Sequence, residues 1–243
     1  MSGVTLVSRL DPAHVASAVA GGFDNRRECI MSTSDTSTDE SDPLAVRPPV
    51  QRRSRESWTR ALDAGVAILE EGGYDAFTIA AVCERASIPP RAIYARVDTK
   101  DALFLAVYEH GLARARAAQD AYSDDRWTQL NPAERITEAV NTLAGIFREF
   151  DRFLGAIVLV SGAHSEVNRR GARYVGELAD LFVVAICGAS PSVSAESRTR
   201  TYFHSLFSTL AIRVAYGPEF LAPIGDEQLV DQLIDMGRCY LID

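Results

Sequence analysis

The stretch "TIAAVCERASIPPRAIYARVDTK", residues 78–100, decides the fold. It holds two short helical patterns, and the second begins at a pair of adjacent prolines, Pro89 and Pro90. A residue that precedes proline is pushed out of the α region, so Ile88 and Pro89 are expected to be extended. Pro90 is then the first position free to be helical, and proline is favoured there because its missing N–H would have had no partner. The prolines therefore predict where this helix begins.

Capping residues and apolar spacing predict the neighbouring helices. Thr78 is the expected N-cap of the second helix. The apolar positions of that helix recur at i, i+3, i+4 and i+7: Ile79, Val82, Cys83 and Ala86. The first helix, read from residue 56, has one apolar face: Trp58, Leu62, Gly65 and Leu69. Gly72 and Gly73 are expected to end it. Thr99 is the expected cap of a fourth helix that runs to about Tyr122.

The rest of the chain continues with helical spacing. One stripe follows Pro132: Ile136, Val140, Leu143, Phe147 and Phe150. Further helices are predicted over about 165–187, 194–216 and 226–241, and no useful period-2 alternation is present. The prediction is an all-α fold, with a three-helix helix-turn-helix domain followed by a larger helical domain.

Composition limits the class of protein. The chain has 243 residues, 47% of them hydrophobic, and a net charge of −8, which is ordinary for a globular protein. The four cysteines form no CxxC pair, so a reduced chain is expected rather than a zinc site or a disulfide framework. Because no spanning apolar run and no signal peptide are evident, the expected location is the cytoplasm, without membrane contact.

The N-terminal segment has its own composition. Residues 31–46 are rich in Ser, Thr and Asp and are predicted to be disordered. We also consider Met31 as the start of translation. Four arginines then form a predicted basic arm that leads into the first helix: Arg47, Arg52, Arg53 and Arg55. The expected organisation is an extension over 1–50 with the arm beginning near 47, a helix-turn-helix domain over 51–108, and an effector-binding and dimerisation domain over 109–243.

Residues 52–108 resemble the DNA-binding domain of the tetracycline-repressor (TetR) family. The resemblance rests on an ordered set of residues: Gly73-Tyr74, Thr78, Ala86, Ile93-Tyr94, Val97 and Thr99-Lys100. Two positions depart from the family pattern. Ser87 stands where a turn glycine is preferred, so it is expected to be left-handed at some cost. Pro89 stands where a serine N-cap is common, and that loss costs about 1 kcal/mol.

The chemistry and the resemblance together assign a DNA-contacting set. Arg91 is suited to donate two hydrogen bonds to guanine, and Tyr94 resembles the family's phosphate-contacting tyrosine. Thr78 and Lys100 lie at helix N-termini, which favour phosphate. The full predicted set is Thr78, Pro90, Arg91, Ala92, Tyr94, Arg96, Lys100, Arg52, Arg53 and Arg55. A protein core position for Tyr94 and a solvated surface position for Arg91 are the alternative interpretations.

The second half is expected to sense a ligand and to dimerise, as the resemblance implies. Its helices at about 194–216 and 226–241 are expected to form a homodimer bundle; the alternative is that they fill an intramolecular core. A pocket for a small apolar or aromatic effector is expected among the helices at 102–122, 132–150 and 165–187. The candidate lining residues are His110, Phe147, Phe150, Phe153 and His164. Buried core is the alternative interpretation of these side chains.

The predicted function is a ligand-responsive transcriptional repressor that binds a palindromic DNA operator as a homodimer and associates with the nucleoid. No cofactor, metal or catalytic site is expected, since "VSGAHS" is not a GxSxG elbow and His110, His164 and His204 lack metal spacing. An all-α small-molecule-binding protein or enzyme with a vestigial helix-turn-helix is the alternative. A nonspecific architectural DNA-binding protein is a third possibility, which the acidic composition disfavours.

Overall fold

The structure is a computed structural model that describes residues 46–48, 52–221 and 223–242. All of these described residues belong to one compact unit, residues 43–243. The predicted disorder of residues 31–45 and the alternative start at Met31 lie outside the described residues.

Every regular element in the described ranges is a helix, so the predicted all-α fold is confirmed. The helices are α1 (Arg52–Ala76), α2 (Ile79–Ala86), α3 (Pro90–Tyr94), α4 (Lys100–Ala118), α5 (Pro132–Glu149), α6 (Asp151–Ser161), α7 (Ser165–Cys187), α8 (Val193–Tyr216), α9 (Pro218–Leu221) and α10 (Asp226–Leu241). Two 3-10 turns, Gln119–Ser123 and Asp125–Gln129, connect α4 to α5. Within the same ranges, no helix combines the length and the apolar character needed to cross a membrane.

The first helix begins at Arg52, which corrects the expected start at residue 56. Three of the four arm arginines are therefore helical: Arg52, Arg53 and Arg55. Arginine is a good helix former and no glycine or proline interrupts the segment, so the helix extends through these charges. At the other end, Gly73 leaves helical geometry with φ 64°, a left-handed value that glycine adopts without a Cβ penalty.

Helices α1 to α4 enclose the core of the helix-turn-helix domain. The fully buried side chains come from all four helices and their connections: Ala61, Phe77, Val82, Ile93, Val97, Leu103 and Val107. Gly65 lets α1 and α4 approach closely, because a Cβ there would lie 2.5 Å from a Val107 methyl. This packing fixes α3 against α1 and α2, although α3 is only five residues long.

Helix α4 runs from the helix-turn-helix core into the second half of the chain. It ends at Ala118, which corrects the expected end near Tyr122, since the chain tightens into a 3-10 turn over Gln119–Ser123. The Tyr122 hydroxyl there donates to the Ala139 carbonyl of α5 (2.7 Å). That buried contact draws the chain out of the α-helical path.

The second half packs α5 to α8 and α10 around an apolar core. Asn131 and Glu134 form a capping box that starts α5. The predicted stripe on that helix is buried: Ile136, Val140, Leu143, Phe147 and Phe150. Helix α6 crosses α8 at Gly155, where a Cβ would lie 2.6 Å from the Val214 carbonyl oxygen. The predicted helices at 165–187, 194–216 and 226–241 are confirmed to within one residue as α7, α8 and α10.

Candidate nucleic-acid interface

The turn between α2 and α3 has the conformation expected from its sequence. Ser87 is left-handed, with φ 52° and ψ 48°, and it is the only non-glycine residue with positive φ in the described ranges. Its N–H donates to the Glu84 carbonyl (3.1 Å), which closes α2. Pro89 is extended (φ −72°, ψ 148°) and Pro90 is the first residue of α3, as predicted. The turn therefore directs the N-terminal end of α3 away from the core.

Helix α3 divides its side chains between the core and the surface. Ile93 is fully buried and anchors the helix, and Ala92 is half-buried against the same core. Pro90, Arg91 and Tyr94 are exposed, with 49% of Tyr94 accessible. Within the described residues the Arg91 guanidinium has no hydrogen-bond or ion-pair partner. The structure thus leaves this exposed side with an arginine and a tyrosine available to a partner.

Two helix N-termini border this exposed side. The Thr78 hydroxyl accepts a hydrogen bond from the Ala81 N–H (3.0 Å) and caps α2. Thr99 caps α4 in the same way through the Ala102 N–H (3.0 Å). The Lys100 ammonium lies over the Tyr74 ring, 4.1 Å from its centroid, which holds this cation at the start of α4. Both N-termini carry the partial positive charge of the helix dipole.

The helical arginines at the start of α1 are all exposed. The Arg52 guanidinium donates to Glu56 one turn along the helix (2.9 Å), so part of its charge is neutralised. Arg53 contributes its carbonyl to the Ser57 hydroxyl (3.0 Å) and leaves its guanidinium at the surface. Because a helix fixes their spacing, these side chains form a basic surface on the first turn rather than a flexible arm.

Arg96 has protein partners. Its guanidinium donates to the carbonyls of Arg47 (3.1 Å) and Pro48 (2.9 Å) and to the Ser54 hydroxyl. Arg47 in turn forms a bidentate ion pair with Asp98 (2.6 and 2.7 Å). Thus the described part of the arm, residues 46–48, is tied to the segment that follows α3.

One ion pair in this domain leaves no charge available to a partner. Arg85 of α2 donates to both oxygens of Glu71 in α1 (2.5 and 2.6 Å). The hydrogen bond from Arg85 lowers the pKa of the Glu71 carboxyl, which therefore stays ionised and keeps its cation. The positive charge that remains for a partner comes chiefly from α3, the start of α4 and the first turn of α1.

Sequence reasoning missed four residues that shape this surface. Ser54 and Asp98 receive hydrogen bonds from the arm–helix contact, Arg47 makes that contact rather than extending as a free arm, and Tyr74 supports Lys100. Only Tyr74 had a local signal, as part of the Gly-aromatic pair. The others act across separations of more than 40 residues, which no spacing pattern reveals.

Of the five predicted effector residues, only Phe147 lines either of the two cavities described below. His110 Nε2 lies 2.7 Å from Asp63 Oδ1, so it connects α4 to α1. His164 caps α7 by accepting a hydrogen bond from the Val167 N–H (3.4 Å), and its ring centroid lies 5.4 Å from that of Phe104. The three phenylalanines are buried: Phe147, Phe150 and Phe153.

Two cavities lie elsewhere in the second half. One, of about 260 Å³, lies among α5, α8 and α10, and Phe147 lines it together with Leu210, Val214 and Leu229. Its rim is charged: Arg148, Asp151, Arg213 and Asp226. The other, of about 320 Å³, lies among the ends of α5, α7, α8 and α10. Neither of these two cavities is lined by residues of α4, so the expected pocket position is not the one they occupy.

Comparison with known protein families gives one match. Residues 61–107 match the model of the tetR family of bacterial regulatory proteins. The matched segment runs from α1 to α4, and so contains the turn, α3 and both threonine caps. No curated protein matches the chain at a significant level.

Solved structures share the fold. A transcriptional regulator from Rhodococcus sp. Rha1 superposes with a TM-score of 0.60 at 17% identity, covering 75% of this chain and 96% of that one. A transcriptional regulator assigned to the TetR family, from Rhodococcus sp., superposes with a TM-score of 0.59 at 15% identity, covering 76% of this chain and 99% of that one. A TetR-like transcriptional regulator from Rhodococcus sp. RHA1 superposes with a TM-score of 0.51 at 19% identity, covering 77% of this chain and 97% of that one. The likeness extends over the second half, beyond the family match.

Proposed function

We infer the function of this chain from its family: through residues 61–107 it is a member of the tetR family of bacterial regulatory proteins, which are transcription factors and not enzymes. It is a ligand-responsive transcriptional regulator. We propose that it acts as a repressor, and that it binds a palindromic operator as a homodimer. The observation that carries the proposal is the exposed end of α3, where Arg91 has no partner among the described residues.

Arg91 and Tyr94 divide the work of recognition in this proposal. The Arg91 guanidinium reads a guanine through its O6 and N7 atoms in the major groove. Tyr94 donates its hydroxyl to a phosphate, and Pro90 and Ala92 keep the helix surface low enough for close approach. Direct base readout therefore depends chiefly on one residue.

The surrounding residues grip the DNA backbone. Thr78 and Lys100 meet phosphates at the N-termini of α2 and α4, where the helix dipole adds to the attraction. The exposed arginines of the first turn of α1 contact the backbone further along: Arg52, Arg53 and Arg55. These contacts set orientation and affinity without specifying sequence.

The homodimer uses α8 and α10. Helix α10 exposes two large apolar side chains one turn apart, Met236 and Tyr240, beside its buried Val230, Leu233 and Ile234. Burying this exposed apolar face against the same face of a second copy gives an isologous interface. The dimer would present two α3 helices to successive major grooves, about 34–36 Å apart. On DNA, the protein would be associated with the nucleoid.

The effector site is the cavity among α5, α8 and α10. Its walls are largely apolar, which suits a small apolar or aromatic compound. Its charged lining is balanced, since Arg148 and Arg213 are matched by Asp151 and Asp226, and Arg213 is ion-paired with Asp226 (2.7 Å). Of the five predicted effector residues, Phe147 lines this cavity. Phe150 and Phe153 are buried, and His110 and His164 bond to Asp63 and to the start of α7. An effector that favours a conformation with the wrong spacing of α3 helices would shift the population off the operator.

Two substitutions test the proposal on the duplex that the wild-type chain enriches from a random-sequence DNA pool. Arg91→Ala is expected to lower affinity for that duplex by about 10-fold or more and to approach the affinity for unrelated DNA. Lys100→Ala is expected to weaken binding to every duplex and to reduce the salt slope by about one.

Arg173→Ala is the matched control, since Arg173 is exposed on α7 and its removal changes the net charge equally. Fluorescence anisotropy over a range of salt concentrations gives all three affinities. Equal operator affinity for wild type and Arg91→Ala would contradict the assigned base contact. Failure to enrich any duplex would favour a small-molecule-binding protein with a vestigial helix-turn-helix.

A further inference from the structure

Residues 46–48 lie beside the segment that follows α3. The Arg47 N–H donates to the Arg96 carbonyl (2.9 Å), and the half-buried Val46 packs against the hydrophobic core. From here on, "the arm" means this three-residue segment alone, because the other arginines of the predicted basic arm belong to α1. It is held by both backbone and side-chain contacts, so its position is defined relative to α3.

The contact between the arm and α3 is reciprocal. Arg47 sends its guanidinium toward the α3 side, where it donates to the Tyr94 carbonyl (3.2 Å) and to both oxygens of Asp98. Arg96 sends its guanidinium the other way, to the arm carbonyls of Arg47 and Pro48. The same Arg96 group also donates to Ser54 in the first turn of α1. One arginine therefore connects the arm, α1 and the end of α3.

The end of a short helix needs such partners. The last carbonyls of a helix have no intrahelical donor, and in a helix of five residues they are a large share of its backbone groups. The Arg47 guanidinium satisfies the Tyr94 carbonyl, and its N–H satisfies the Arg96 carbonyl. A cation at this end is also favoured by the helix dipole. The arm thus completes the C-terminal end of α3.

The ion pair with Arg47 also neutralises Asp98, an exposed carboxylate near the proposed DNA-contacting surface. An unpaired carboxylate there would repel phosphates. Protein groups occupy the guanidinium groups of Arg47 and Arg96. The Arg91 guanidinium has no such partner among the described residues. Arginines that look equivalent in the sequence therefore have different roles.

We propose that Arg47 and Arg96 are positioning residues: they clamp the arm to α3 and α1, and so hold α3 at the angle at which Arg91 and Tyr94 meet DNA. This inference rests on the proposed operator binding. It assigns Arg96 to the clamp, in place of the base or phosphate contact expected from the sequence.

Arg96→Lys separates the two roles. Lysine keeps the positive charge, so a phosphate contact would largely survive, but one ammonium cannot reproduce the planar fork that joins two carbonyls and a hydroxyl. For the clamp we expect Arg96→Lys to lose about 10-fold or more of the affinity for the enriched duplex, with an unchanged salt slope. We expect the Arg47 amide proton of the free full-length chain to exchange at least about 10 times faster, measured by NMR.

Arg47 and Asp98 provide a second, independent test. Arg47→Ala leaves the Asp98 carboxylate unpaired, so it is expected to weaken operator binding by about 10-fold. Adding Asp98→Asn should recover part of that loss, because the repulsion is removed. Arg126→Ala, which breaks the surface ion pair with Glu138 in the second half, is the control and should bind like wild type.

Three results would overturn the clamp. The first is the signature of a phosphate contact. Arg96→Lys would then bind the enriched duplex with wild-type affinity, and Arg96→Ala would reduce the slope of log affinity against log salt concentration by about one. The second is an unchanged exchange rate for the Arg47 amide in Arg96→Lys. The third is wild-type operator affinity for Arg47→Ala, which removes the guanidinium that holds the arm to the Tyr94 carbonyl. If no duplex is enriched, the proposed function fails, yet the exchange rates still decide whether the clamp exists.

Discussion

At the scale of single residues, Ser87 carries a local cost that a substitution can remove. Its left-handed backbone (φ 52°) brings its Cβ close to its own carbonyl oxygen, which glycine avoids. Ser87→Gly is expected to raise the free energy of unfolding by up to about 1 kcal/mol, since the greater freedom of glycine in the unfolded chain offsets part of the gain. Ser87→Ala keeps the Cβ and should change little. Urea denaturation compares the two, and equal stability of both variants would contradict the assigned strain.

Residues whose effect is local were predictable from the sequence. Thr78, Thr99 and the two prolines act on backbone groups within four positions, so their residue types alone located α2, α3 and α4. Arg96 was not predictable in this way. Its partners lie 42 to 49 residues upstream. The sequence around an arginine at this position looks the same whether its side chain contacts DNA or another part of the protein.

At the scale of elements, two glycines in helices are expected to respond oppositely to alanine. Gly155 lies where α6 crosses α8, and a Cβ there would lie 2.6 Å from a backbone carbonyl oxygen that cannot rotate away. Gly155→Ala is expected to cost about 1–3 kcal/mol. Gly145 in α5 has no atom near its Cβ position, so Gly145→Ala should stabilise by about 0.5–1 kcal/mol through helix propensity. Thermal unfolding measures both, and a neutral Gly155→Ala would disprove the close crossing.

The link between α4 and α7 predicts a dependence on pH. Glu166 accepts hydrogen bonds from Arg169 and Arg170, which lower the pKa of its carboxyl. Arg170 also pairs with Glu109 of α4 (2.9 Å). A carboxyl with a lowered pKa stabilises the fold above its ordinary pKa, near about 4.3, and this contribution is lost as pH falls below it.

Glu166→Gln is therefore expected to cost about 1 kcal/mol or less at pH 7, and the difference from wild type should shrink as the pH falls below the ordinary carboxyl pKa. Glu149→Gln is the control, because Glu149 is exposed and has no ion-pair partner among the described residues. Urea unfolding at several pH values measures both. A difference that stays constant down to pH 3 would show that the effect is not ionic.

Element boundaries were less predictable than element types. The stripes that define α5, α7, α8 and α10 are continuous in sequence, so their existence and spans followed from spacing. Helix α4 ends before Tyr122 because the buried Tyr122 hydroxyl donates a hydrogen bond to the Ala139 carbonyl of α5. Cavities are hard to predict for a related reason: buried aromatics mark a core, and only packing shows where a core leaves space, as it does among α5, α8 and α10.

At the scale of the whole molecule, the proposed dimer depends on α10 more than on other exposed apolar positions. Met236 is 58% exposed on α10, and Leu159 is 54% exposed on α6. Because an isologous interface repeats each contact, Met236→Arg would bury two guanidinium groups near each other, whereas Leu159→Arg would leave them in solvent. Analytical ultracentrifugation should show a monomer for Met236→Arg and a dimer for Leu159→Arg and wild type.

The same pair of variants connects assembly to DNA recognition. A monomer has one α3 helix, so Met236→Arg is expected to lose about 100-fold or more of its affinity for a palindrome but little of its affinity for a single half-site. Leu159→Arg should keep both affinities, because Leu159 is exposed on α6 and its replacement leaves the proposed interface on α10 unchanged. A dimeric Met236→Arg would place the interface on another face, and a palindrome bound as tightly by the monomer would mean that operator affinity does not depend on pairing two recognition helices.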